Sequence, residues 1–128
     1  MTNPTPADGR PLLDALAHAL RTAGPERPAV LRHTRTGSTR VQLRRGELAD
    51  LADRYAAALH RQGLTAGETL GVAVRPGPRA LAVLLAAHRL GLRVAVLDPG
   101  AGPEVLTARL AAAGPALVLA DAATQAAA

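Results

Sequence analysis

The sequence predicts an α/β fold: an N-terminal helix and β-hairpin followed by a βαβαβ run with parallel strands. Three observations predict it. Apolar residues recur at helical spacing in some windows and alternate in others. From Thr69 onward, short apolar segments of the two kinds take turns, with brief connections between them. Gly or Pro stands at nearly every junction. Strand, helix, strand, helix, strand with such short connections requires parallel strands joined by right-handed crossovers.

Each element has its own justification. Residues 1–10 read as a disordered lead, polar and proline-containing. Pro11 suits a first helical position, where its missing N–H is not needed. Leu12, Leu13, Leu16, Ala17 and Leu20 then share a face until Gly24-Pro25 stops the helix. Pro28 to Arg35 reads as a strand, Thr36-Gly37 as a turn, and Ser38 to Leu43 as the returning strand of a hairpin. Gly46 to Gln62 reads as a second helix. Its stripe is Leu48, Leu51, Ala52, Tyr55, Ala58 and Leu59, and Glu47, Asp50 and Asp53 put negative charge in its early turns, as the helix dipole favours. Thr69 to Val74 is the next strand. Pro78 to Leu90 is a helix apolar almost all round, for which burial is expected. Arg93 to Leu97 is a strand and Asp98-Pro99-Gly100 a turn. Pro103 to Ala113 is a helix with Leu106, Leu110 and Ala113 inward, and Ala116 to Leu119 is the last strand. Residues 11–121 thus form the folded portion, and 122–128 an Ala-rich tail.

With 128 residues the chain can bury roughly two-thirds of its unfolded surface. It is 48% hydrophobic but has no Phe, Trp, Cys or Ile, one Tyr and one Met, so Ala, Leu and Val must build the core. All fifteen cations are Arg. The absence of Lys excludes a P-loop, a Schiff base and a lysine clamp on an acyl phosphate within these residues. The absence of Cys excludes disulfides, thiolate metal sites and thiol nucleophiles. The net charge of +5 alone suggests an acidic partner such as nucleic acid. The arginines, however, read as spread along the chain, most of them near acids, and all-Arg usage with abundant Ala, Gly and Pro reads as a compositional habit of the source. Nucleic acid is therefore not the expected partner. The N-terminus lacks the basic-then-apolar order of a signal peptide. The longest apolar run, Ala80 to Ala87, is too short to span a membrane, so the cytoplasm is the expected location.

The residues show no catalytic constellation. No two of His18, His33, His60 and His88 stand at helical metal-pair spacing, and His88 reads as a satisfied histidine in a buried helix. Ser38 is the single serine and lies in the hairpin, so a serine triad is not expected. Asp98-Pro99-Gly100-Ala101-Gly102-Pro103 could cradle a phosphate at a helix N-terminus. It lacks the Lys-Ser/Thr of a P-loop and the third glycine of a dinucleotide fingerprint, and reads most simply as a turn. Arg75-Pro76-Gly77-Pro78-Arg79 offers two arginines to an anion, or a solvated rim. Arg40, Arg44 and Arg45 form the densest basic cluster. They are a candidate contact for an acidic partner such as a carrier protein, the alternative being a charged hairpin edge that discourages strand pairing. No catalytic, cofactor-binding or metal-binding residue is assigned.

The order of segments nevertheless resembles the beginning of the adenylate-forming (AMP-binding) superfamily: acyl-CoA synthetases, fatty acyl-AMP ligases and adenylation domains of peptide synthetases. Four stretches carry it. Val41-Gln-Leu-Arg-Arg-Gly-Glu-Leu48 is similar to the family's strand followed by Thr-Tyr-x-Glu-Leu. Leu51 to Leu59, closing in Gly63-Leu64 and Gly67-Glu68, is similar to its next helix and turn. Leu70 to Gly91 is similar to its strand, Pro-containing turn and hydrophobic helix, and Val94-Ala-Val-Leu-Asp-Pro99 to its Val-Pro-Leu-Asp-Pro. Three departures stand out. Arg44 replaces a helix-capping Thr while Glu47 keeps the other half of the capping box, a loss of about 1 kcal/mol. Residues 79–81 lack the usual acid, and Val96 replaces a Pro.

The resemblance implies part of a sheet-and-helix layer from the N-terminal domain of an ATP-dependent ligase. Such an enzyme activates a carboxylic acid as acyl-AMP and then forms a thioester with CoA or a carrier protein. It also implies that the phosphate loop with its lysine, the acyl pocket and the C-terminal catalytic lysine follow the matched region. The expectation is that this chain alone is inactive and binds no cofactor. ATP and Mg belong to the complete enzyme. The remainder of the ligase or a complementary chain is the expected partner, with an acyl carrier protein as another, no membrane, and self-association if isolated. The alternative is a non-catalytic docking subunit derived from the same family.

Overall fold

The computed structural model describes residues 10–98 and 100–121. The expected lead, apart from Arg10, and the expected Ala-rich tail lie outside the described residues. The elements run α1 (Arg10–Thr22), β1 (Pro28–His33), β2 (Thr39–Arg44), α2 (Arg45–Arg61), β3 (Thr69–Ala73), α3 (Pro78–Arg89), β4 (Arg93–Val96), α4 (Pro103–Ala113) and β5 (Leu117–Ala120). The expected order holds throughout, with ends shifted by one or two residues.

β1 and β2 form an antiparallel ribbon with Leu31 opposite Val41 and Arg32 opposite Arg40. Its turn is closed by the Gly37 N–H donating to the Thr34 carbonyl at 3.0 Å. Gly37 takes φ 84, a left-handed conformation that glycine reaches without the Cβ penalty. α2 follows directly. The Arg44 N–H donates to Glu47 Oε1 at 2.9 Å, which is the retained half of the capping box. An arginine side chain has no acceptor to return the second bond.

β3, β4 and β5 form a parallel sheet in the order β4-β3-β5. β3 is central. Its Leu70 and Val72 enter a core built with Ala56 and Leu59 of α2 and Val83, Ala86 and Ala87 of α3. The first crossover runs from β3 out to β4 and the second runs back from β4 past β3 to β5, so right-handedness puts α4 on the other face of the sheet from α3. On that second face β3 presents Gly71. A Cβ there would lie 3.2 Å from the Val118 side chain and 3.4 Å from those of Leu97 and Pro115, so any larger residue would press its neighbours aside.

α1 lies across α2 and α3, and Leu20 joins Leu48, Ala49, Ala52, Ala82 and Leu85 in a second cluster. Charged pairs tie these three helices together. Arg21 reaches Asp50 at 3.4 Å and also pairs with Asp53, which pairs in turn with Arg89. Partial desolvation is the largest influence on the Asp53 carboxyl and pushes its pKa up. The hydrogen bond and charge of Arg89, with those of Arg21, outweigh it and hold the carboxyl below its ordinary value.

The expected burial of α3 needs correction. Ala82, Val83, Leu85, Ala86 and Ala87 are buried, but Leu81 is 38% and Leu84 40% exposed. Being apolar all round does not bury a helix unless neighbours cover every side. α1 covers this side only in part, since its own Leu16 is 43% exposed.

Candidate functional site

Three places could carry function: the C-terminal end of the sheet, the titratable side chains, and the hairpin. The strand order sets the first. In the order β4-β3-β5 the C-terminal ends of β3 and β5 stand side by side. Open α/β sheets take their ligands beyond the carboxyl ends of the strands. A shallow cleft of about 400 Å³ lies there, lined by Gln42, Leu43, Leu51, Arg75, Arg79 and Asp121 among others. The Arg75 N–H donates to Asp121 Oδ2 at 3.2 Å, linking the ends of β3 and β5. Both arginines that the sequence singled out stand at this rim, exposed. The rim can attract an anion but supplies no acid–base pair.

The Asp98 loop behaves as a turn. Asp98 Oδ1 accepts from the Gly100 N–H at 2.8 Å, and the Asp98 carbonyl accepts from the Ala101 N–H at 3.1 Å. Two donors that a phosphate would need are thus directed onto Asp98 itself.

The histidines remain separate. His18 and His60 are exposed, and His33 Nδ1 lies 3.3 Å from Thr39 Oγ1 within the hairpin. His88 is satisfied, as expected, but not by the core: its Nε2 meets Asp14 Oδ1 at 3.2 Å, and the side chain, 15% exposed, bridges α3 to α1. Among the described residues no three His, Cys, Asp or Glu side chains come together to hold a metal ion. Among the described residues the donors therefore do not fit a magnesium site. Among the described residues no helix is long and apolar enough to cross a membrane.

The three hairpin arginines separate in space and in role. Arg44 Nη1 donates to the Glu26 carbonyl at 2.7 Å, and Arg45 Nη1 donates to the Ala23 carbonyl at 2.6 Å. Both guanidinium groups fasten the loop between α1 and β1. Arg40 is exposed on β2 directly opposite Arg32, a residue the sequence reading passed over. One signal in the sequence marks it. Between Arg27 and Arg45 there are six arginines and no Asp or Glu. This region is the exception to the reading of arginines spread along the chain, most of them near acids.

Comparison with known proteins completes the site's description. A 98-residue stretch, 76% of this chain, is 32% identical to nonribosomal peptide synthetase 8 of Aspergillus fumigatus and covers 1% of that protein. The solved structure of CmiS6 superposes with a TM-score of 0.74 at 32% identity, over 87% of this chain and 26% of that one. VinN in complex with L-aspartate gives a TM-score of 0.74 at 27% identity, over 88% of this chain and 30% of that one. The chain thus spans under a third of each of these relatives. The family model for AMP-binding enzymes matches residues 16–128, which takes in every strand and all but the first turns of α1. The chain belongs to the AMP-binding enzyme family.

Proposed function

We propose that this chain is the N-terminal part of an ATP-dependent adenylate-forming ligase. The complete enzyme activates a carboxylic acid: a carboxylate oxygen attacks the α-phosphorus of ATP, the bond to the β-phosphate oxygen breaks, and pyrophosphate leaves. A thiol of CoA or of a carrier protein then attacks the acyl-AMP carbonyl and releases AMP. The observation that carries the reading is the family match over residues 16–128 on an unbroken, correctly ordered βαβαβ frame. The L-aspartate held by VinN supports a carboxylic acid as the substrate class.

The contribution of these residues is architectural. They fix the sheet and place the rim of Arg75 and Arg79 at its C-terminal end. The 128 residues contain no lysine to neutralise transferring phosphates. By themselves they do not turn over, and ATP with magnesium is held by the complete enzyme, in the cytoplasm. The test is pyrophosphate release from ATP with a panel of carboxylic acids. The isolated chain stays at background, and a polypeptide supplying the rest of the relatives' length restores release. Robust turnover by the isolated chain would contradict the reading. Full restoration of binding partners without any turnover would favour a docking subunit instead.

A further inference from the structure

No further inference is drawn: the strongest candidate, the apolar groove between α1 and α3 lined by Leu16, Leu81, Leu84, Leu85, Leu92 and Val94, carries nothing because the chain spans under a third of its relatives and nothing in the structure shows what covers this face.

Discussion

The two faces of the parallel sheet are packed in different ways. On the α3 face, Leu70 is fully buried with Val83, Ala86 and Ala87 equally so. On the opposite face α4 has no buried residue, and the expected inward side chains Leu106, Leu110 and Ala113 are only half-buried. The same central strand serves both. It offers large side chains to α3, and Gly71 and Ala73 to the α4 side. A core without Phe, Trp or Ile concentrates its packing on one side of the sheet, where small alanines let α2 and α3 approach closely. On the other side the side chains of Val118, Leu97 and Pro115 close over Gly71.

The largest expected effect therefore falls on the α3 face. Leu70→Ala should cost about 2–5 kcal/mol in urea unfolding, since a fully buried leucine leaves a cavity. A cost below about 1 kcal/mol would mean that the two faces are packed alike. Gly71→Val tests the opposite face. Its Cβ would meet Val118 at 3.2 Å, and overpacking of this kind costs about 1–3 kcal/mol. Val118, 42% exposed at an outer strand, can yield, which sets the value toward the lower end.

A smaller effect belongs to the charged link between the helices. Asp53→Asn should cost about 1 kcal/mol or less, because solvent screens the Arg21 and Arg89 pairs. The pH dependence has a definite sign. Asp53 has a folded-state pKa below its unfolded value, so its contribution is fully present above the unfolded carboxyl pKa and lost as pH falls through the folded value. The difference in unfolding midpoint between wild type and D53N should thus vanish in acid and reappear toward neutrality. The smallest effect is expected at Leu84→Gln on the uncovered side of α3. It should change stability by within about 0.5 kcal/mol while reducing light scattering at high concentration.

Much of this frame was legible in the residues. The Leu48 to Leu59 stripe placed α2, and glycine and proline marked the ends of α2, α3 and α4. Exposure on α3 was not legible, because periodicity reports which residues are apolar and not how many neighbours a fold supplies. The Asp53 links to Arg21 and Arg89 join residues far apart in sequence, and only the stacking of three helices brings them together. The same limit applies to the candidate sites. Arg44 and Arg45 looked equivalent to Arg40 until the α1–β1 loop supplied carbonyls to the first two. The crevice of Arg75 and Arg79 needs the strand order, which local spacing does not contain. The lone Arg32–Arg40 pair did have a signal, the acid-free stretch around it.

The order β4-β3-β5 also sets a timetable for synthesis. Leu70 pairs with Val94 on one side but with Leu117 on the other. On the ribosome, β3 must wait about 50 residues for its second neighbour, several seconds at ordinary rates of about 5–20 residues per second. During that interval β3, α3 and β4 form a half-sheet with one side of its central strand unpaired. A nascent chain stalled before Leu117 should therefore bind chaperones more strongly than one released past Asp121.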